Sequence, residues 1–419
     1  MAGLYPTPLP RTGWVAGLVV ALCVGVSTTI ALVTTRATRA HDRPRAGGGR
    51  VAKVAAAIVL PLAVLGNLWW QNGIRSELGY PPAGVDWLAT LVVPALLVFG
   101  LLAWAPRITG VAAAMIVALG AGYVPASAGA TAAQSPRAPS SVLYAAMGGA
   151  PGDPKAGDRL LAARADELVR RWVEADGLDQ RAVVLAVPTG SGWVDPSAVS
   201  AIDERFDGRV RVLALQYADI SSWRAFVGDR EAAGRSVIAV LRRVIDAVQR
   251  DRTRDDRCAA RTGPDAARAG TAAAVSIYLY GQSLGALGAD RARAWADARY
   301  PGAIAGTLLA GLPADSIPRS ATGTPRIVVA NDSDPVARWS TALVWRPAQR
   351  PVETRTIGRP ARSVPWLPVI SFVQSTADLI GSLGGPTGVG HRYGREQGLL
   401  PNRVPATGQL PAIGPRAAS

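Results

Sequence analysis

The sequence predicts an α-helical transmembrane N-terminal domain followed by an α/β domain whose mostly parallel sheet carries helices on both faces. Three observations point there. Four apolar segments, 14–34, 51–70, 87–104 and 108–124, carry hardly a charge, and a bilayer core asks for about 20 such residues in a helix. Residues 126–139 then shift to Ala, Ser, Thr and Pro, the composition of a solvated linker. Beyond about residue 141 short apolar runs alternate with amphipathic stretches, as parallel strands joined by crossover helices do. The expected organisation is 1–125 as a transmembrane domain of about four spans, 126–140 as a flexible linker, 141–395 as the α/β domain and 396–419 as a poorly ordered tail rich in Pro, Gly and Ala.

A chain of 419 residues has room for two or three domains. With 49% hydrophobic and 18% charged residues it is neither disordered nor fibrous. The net charge of +15 is spread: ten Lys/Arg against three Asp/Glu precede residue 141, which leaves +8 beyond it. Lys53 and Lys155 are the only lysines in an Ala-rich chain. Such arginine-based basicity resembles coding bias more than a nucleic-acid footprint, so no nucleic-acid partner is expected. Cys23 lies in an apolar run and Cys258 in a distant polar one, which removes a disulfide framework and a Cys-based zinc site. No metal and no cofactor are expected.

In the N-terminal part, Trp14, Trp69, Trp70, Trp87, Trp104 and Tyr123 stand near segment ends, where amphipathic rings face both lipid and headgroups. Arg36, Arg39, Arg43, Arg45 and Arg50 fall between the first two segments and Lys53 at the start of the second, whereas the loop at 71–86 sets Arg75 against Glu77 and Asp86. By the positive-inside rule the first loop is cytoplasmic, and counting crossings leaves everything after the fourth segment outside. The expected location is the cell membrane, multi-pass, with the α/β domain extracytoplasmic. His41 then sits in a cytoplasmic loop without a role. Arg11 alone makes too weak a basic n-region for a cleaved signal, so the first segment is read as an anchor.

In the second part, candidate strands are 182–187, 210–216, 275–280, 304–310 and 326–330, and candidate helices 157–175, 221–250 and 284–298. The strand at 275–280 runs into Gly281-Gln282-Ser283-Leu284-Gly285 and an Ala-rich helical stretch. This is the G-x-S-x-G nucleophile elbow in its required strand, turn, helix context, which makes the fold class α/β-hydrolase-like. Glycines flank the serine because the turn crowds its neighbours too closely for a Cβ. The bare pattern arises by chance, and its plain alternative is a small-residue turn packing strand on helix.

A serine hydroxyl needs a general base, and in this arrangement the chain order is Ser, acid, His. His391, in Gly388-Val389-Gly390-His391-Arg392-Tyr393, is the sole histidine beyond the membrane segments and follows Ser283. The acid should follow a late strand and orient the imidazole. Asn331-Asp332-Ser333-Asp334-Pro335 supplies two carboxylates there; Asp334, before a turn-fixing proline, is preferred, with Asp332 second. Either could instead cap the next helix. An oxyanion hole needs backbone N–H groups. Leu284, after the nucleophile, offers one, and the glycine-rich loop Val187-Pro188-Thr189-Gly190-Ser191-Gly192-Trp193 offers the other at Gly190 or Ser191.

On these residues the chain resembles an actinobacterial family of membrane-anchored α/β-hydrolases that join a multi-span N-terminal domain to a serine-hydrolase domain. The matching segments are Pro188-Thr189-Gly190-Ser191-Gly192-Trp193-Val194-Asp195-Pro196, Gln216-Tyr217-Ala218-Asp219-Ile220-Ser221-Ser222-Trp223, Tyr280-Gly281-Gln282-Ser283-Leu284-Gly285, Ser333-Asp334-Pro335-Val336 and Gly390-His391-Arg392-Tyr393. They span most of 140–395. The resemblance implies Ser283, Asp334 and His391 as a catalytic triad. Leu4-Tyr5-Pro6-Thr7-Pro8-Leu9-Pro10-Arg11 is similar to the family's segment between its first two spans, and the chain departs from the pattern by starting almost there. The family's envelope setting implies a lipid or acyl-ester substrate and either hydrolysis or acyl transfer. Two other classes compete. One is a non-catalytic membrane scaffold or assembly protein retaining the fold, against which stands the complete Ser, Asp and His set. The other is a transporter, against which stands the lack of charges inside the apolar segments apart from Lys53 near an end.

Overall fold

The run Ala-Val-Val-Leu-Ala-Val at Ala182–Val187 has no polar side to turn toward water, so as a strand it needs cover on both faces. It forms an interior strand of a seven-stranded sheet in a computed structural model that describes residues 2–39, 48–104, 142–146, 154–190, 192–218, 228–262 and 275–398. In chain order the elements are α1 (Gly13–Arg39), α2 (Gly48–Leu78), α3 (Val85–Trp104), β1 (Val142–Ala145), α4 (Pro154–Glu174), β2 (Ala182–Val187), α5 (Pro196–Arg205), β3 (Val210–Leu215), α6 (Ala232–Thr262), β4 (Ser276–Gln282), α7 (Leu284–Arg299), β5 (Ile304–Ala310), β6 (Arg326–Asn331), β7 (Thr354–Ile357) and α8 (Ile370–Gly381). Short 3-10 turns fall between them and at Arg395–Gly398.

The strand order is β1-β3-β2-β4-β5-β6-β7, and every pair from β1 to β6 is parallel. After β2 the chain steps to β3 on one side, then returns to β4 on the other, so the winding reverses between β2 and β4. In open α/β sheets ligands bind outside the carboxyl ends of strands at such a reversal. The loops that follow β2 and β4 hold the candidate oxyanion segment and Ser283.

Period-two burial builds the core. Val183, Leu185 and Val187 of β2 share one apolar cluster with Trp172 of α4, Leu241 and Ile245 of α6 and Ala289 of α7. Ala182, Val184 and Ala186 are also buried. On their side of the sheet Tyr278 meets Phe206 at the end of α5, ring centroids 5.5 Å apart. An ion-pair chain ties β6 to α7: Arg326 of β6 bonds Asp290 of α7, which also holds Arg293, while Arg293 reaches Asp297.

The expected strands at 182–187 and 304–310 coincide with β2 and β5, and three others agree within two residues at an end. β1, β7, α5 and α8 carry too little pattern to be read from sequence. The chain forms two compact units among the described residues. One draws on Met1–Ala128, Asn331–Arg350 and Ile357–Arg392, the other on Gly129–Ala330, Pro351–Thr356 and Tyr393–Ser419.

The first unit corrects the expected transmembrane domain. Helices do cover the first three apolar segments. Among the described residues, however, no helix is long and apolar enough to cross a membrane. The fourth segment, 108–124, lies outside the described residues, as do the linker at 126–140, His41 and the end of the tail. The physical reason is that a run of apolar residues states a need for apolar cover, not its source. Here α1 packs on α3 so closely that a Cβ on Gly13 would lie 1.9 Å from Thr90 Oγ1, and one on Gly17 2.2 Å from Thr90 O. Trp87 and Leu91 of α3 are buried with Leu4 and Ala16. The apolar run of α2 contains Pro61 and gives way to Asn67 and Gln71, whose buried amides bond Leu4 O and Arg11 N. The extracytoplasmic placement rests on counting crossings and draws no support from these helices.

Candidate active site

Ser283 stands between the end of β4 and the first residue of α7, at φ 56° and ψ −125°. A residue with a Cβ is strained there by about 1–3 kcal/mol, so the surrounding packing must impose the turn. It does so through two glycines. A Cβ on Gly281 would meet Gly285 O at 2.3 Å, and one on Gly285 would meet Val187 O at 2.2 Å. The Ser283 amide donates to Ala310 O at 2.9 Å, which ties the turn to β5. The strand, the tight turn and the helix N-terminus are thus one rigid construction.

The loop after β2 is fastened to itself. Thr189 N donates to Trp193 O at 3.0 Å and Gly192 N to Thr189 O at 2.9 Å. Gly192 takes φ 85°, and a Cβ there would strike Tyr144 Oη at 2.4 Å, so glycine is required. Gly190 is buried in this loop and Leu284 at the start of α7. Ser191 lies outside the described residues.

In the other unit, His391 Nδ1 lies 2.9 Å from Asp334 Oδ2, and Asp334 is fully buried. The second oxygen of Asp334 accepts from Val336 N at 2.8 Å, so the carboxylate is held at both ends. Asp332 faces elsewhere: its Oδ2 accepts from Ala361 N at 2.8 Å and its Oδ1 from Arg338 at 3.3 Å. Burial, with Arg350 adding to it, lowers the Arg338 guanidinium from its ordinary value, and Asp332 and Asp334 oppose that shift. Of the sequence-named residues the structure brings Asp334 and His391 together. Ser283, Leu284 and Gly190 belong to the unit built on the sheet.

The histidine loop is fixed by residues that the sequence does not single out. Asn331 Nδ2 donates to Gly390 O and Arg392 O, both at 3.0 Å, and Ser333 Oγ accepts from Gly390 N at 2.8 Å. Ser382 O accepts from His391 N at 2.7 Å. Asn331 precedes the two aspartates in sequence and Ser333 separates them, but their role shows only in their contacts with a loop nearly sixty residues away. A second network also escapes the sequence. Asp195 caps α5 through Ser197 N at 2.8 Å and accepts from Gln397 Nε2 at 2.7 Å, while Tyr280 Oη donates to Gln397 Oε1 at 2.8 Å. Burial raises the Asp195 carboxyl, against the hydrogen bonds from Gln397 and Ser197, and raises the Tyr280 hydroxyl well above its ordinary value.

Chemically, a serine at a strained strand-to-helix turn in one unit and a carboxylate-oriented imidazole in the other are residue types that acyl transfer uses. Among the described residues no group of three or more His, Cys, Asp or Glu is placed to hold a metal ion.

Comparison with known proteins agrees with this construction. A family described as "Alpha/beta-hydrolase family" matches residues 154–326 and 318–401, and "Alpha/beta-hydrolase family N-terminus" matches residues 4–142. No curated protein and no solved structure matches the chain. The two family matches cover most of the sequence, the first alone more than half of it, and the chain belongs to this alpha/beta-hydrolase family.

Proposed function

We propose that the protein is a serine hydrolase or acyltransferase that cleaves acyl esters, with lipid esters as its natural substrate class, through Ser283, His391 and Asp334. The observation that carries this reading is the backbone of Ser283, a positive-φ residue at the reversal point of a parallel sheet, between two glycines that admit no side chain. Connectivity supports the triad. Gln282 pairs with Ala310 and Ala310 with Val329, so the carboxyl ends of β4 and β6 are level on one edge of the sheet. Asp334 follows β6 by three residues. After His391 the chain returns to the sheet unit, where Gln397 bonds Tyr280 of β4.

In this mechanism Ser283 Oγ attacks the ester carbonyl carbon while its proton passes to His391 Nε2. Asp334 accepts from Nδ1–H and holds the imidazole in the tautomer that leaves Nε2 basic. The oxyanion of the tetrahedral intermediate is bound by the Leu284 amide and by an amide of the loop at Gly190 and Ser191. Collapse expels the alcohol, protonated by His391, and leaves an acyl-serine. Water or an acceptor hydroxyl then attacks, losing its proton to His391, and as acid or new ester is released His391 returns that proton to Ser283 Oγ.

Labelling of the full-length protein with a fluorophosphonate tests this. One adduct is expected on Ser283, none in Ser283→Ala, together with Ser283-dependent hydrolysis of short p-nitrophenyl esters. Undiminished turnover in Ser283→Ala sinks the assignment.

A further inference from the structure

Residues 4–11 carry no part in the chemistry above, yet Arg11 is among the most heavily bonded residues of its unit. Its guanidinium is buried and grips α8: Nε donates to Asp378 Oδ1 at 2.7 Å, Nη2 to Gln374 O at 2.6 Å, and Nη1 to Gln374 Oε1. Its main chain is clamped with equal care. The amide donates to Gln71 Oε1 at 3.0 Å, and the carbonyl accepts from Arg75 Nη2 at 2.8 Å and Trp87 Nε1 at 2.9 Å. One residue thereby fastens α8 to α2 and α3.

The far end of α8 is where the histidine is held. Ser382 caps the helix one turn after Asp378, and its carbonyl accepts the His391 amide at 2.7 Å. The approach is close: Gly390 takes φ 59°, and a Cβ on it would lie 2.3 Å from Ser382 O. A second, apolar path reaches the same loop. Leu9 is buried with Ile74, Leu78 and Val389, and Val389 precedes His391 by two residues. Tyr80 Oη adds a bond to Gly384 O at 3.1 Å. The polar grip and the apolar seat converge on 382–391 from one short N-terminal stretch.

We infer that Arg11 is a positioning residue for His391: through its fork on α8, with Leu9 seated under Val389, the N-terminal segment fixes where the imidazole is presented. Arginine suits this task because a planar fork engages a carboxylate and a carbonyl at set angles, whereas a lysine ammonium sets none. The grip is also hard to replace. Asp378 is buried, and burial raises its carboxyl while Arg11 opposes that shift. An Arg11 variant therefore leaves a buried acid without its hydrogen-bonded counter-charge, with only the field of Arg338 still favouring its charged form. Misplacing a catalytic group by about 1 Å costs on the order of 100-fold in rate, so a small shift of α8 is enough to be measured.

This inference rests on His391 acting as the base, and the test separates the two. The full-length protein carries Arg11→Met, Arg11→Lys, Leu9→Ala, or Arg11→Met with Asp378→Leu, the last removing both buried charges together. Two readouts are taken: steady-state hydrolysis of p-nitrophenyl butyrate, and the downfield proton resonance of His391 Nδ1–H, assigned by its loss in His391→Ala. Arg11→Met is expected to lower kcat about 10- to 100-fold with KM within about twofold, and to shift or broaden the resonance. Arg11→Lys should recover part of both. Where Arg11→Met does not fold, the double variant and Leu9→Ala give the same reading. A folded Arg11→Met or double variant with unchanged kcat and unchanged resonance overturns the inference. Should hydrolysis prove independent of Ser283, the triad fails, and the resonance alone still decides whether Arg11 holds His391.

Discussion

His391 and Asp334 share a hydrogen bond of 2.9 Å between Nδ1 and Oδ2, while Asp332, two residues before Asp334, gives its carboxylate to Ala361 N and Arg338. The two acids are close in sequence and have different work.

Their substitutions should therefore differ. Asp334→Asn is expected to lower kcat for p-nitrophenyl esters about 10⁴-fold, because an amide no longer holds the active imidazole tautomer. Asp332→Asn should lose less than about tenfold, since it alters only the bonds to Arg338 and Ala361. A reversed ranking in steady-state assays would make Asp332 the acid.

The base is tested by the pair of histidines. His391→Ala should remove nearly all Ser283-dependent turnover and slow fluorophosphonate labelling in step. His41→Ala should leave both unchanged, because the imidazole that Asp334 Oδ2 holds is that of His391. Equal losses in the two variants would refute the assignment.

Gly285→Ala probes the elbow itself. The added methyl would sit 2.2 Å from Val187 O and 3.0 Å from Pro188 O, backbone atoms that cannot turn aside. Overpacking of this kind costs about 1–3 kcal/mol, or several degrees in Tm. Activity should fall further than stability does, because the shift falls on the loop offered as oxyanion donor. A fully active Gly285→Ala with unchanged Tm would show that the elbow is not tight.

The pH dependence of stability should carry the mark of Asp195. Burial raises its carboxyl above the ordinary 3.8, so the folded chain holds this proton more tightly than the unfolded chain does. The stability that Asp195 contributes is thus full at low pH and declines as pH rises through the folded value. Asp195→Asn, which keeps the cap on Ser197 through Oδ1 and meets Gln397 with an amide donor that requires the Gln397 amide to turn over, has no such proton to lose. The Tm of the native protein minus that of Asp195→Asn should decrease as pH rises from about 4 to about 7. A difference that stays constant, or grows, contradicts this.

Much of the sheet unit could be read from the chain because its signals are local. An all-apolar run such as Ala182–Val187 requires two-sided cover, and glycines on both sides of Ser283 after a strand specify a tight turn whatever lies beyond. The order Ser, Asp, His is visible in one dimension for the same reason. Which carboxylate meets the imidazole is marked there only by the proline after Asp334, since the bond itself joins residues 57 apart. Arg11 shows the limit most plainly: its partner Asp378 lies 367 residues away, and nothing near either residue announces the other. The apolar runs of α1, α2 and α3 are the reverse case, a strong local signal with an open meaning. Hydropathy measures how unfavourable water is for a side chain, and only the neighbours that arrive on folding decide what replaces the water. For Gly13 and Gly17 that neighbour is the backbone of α3.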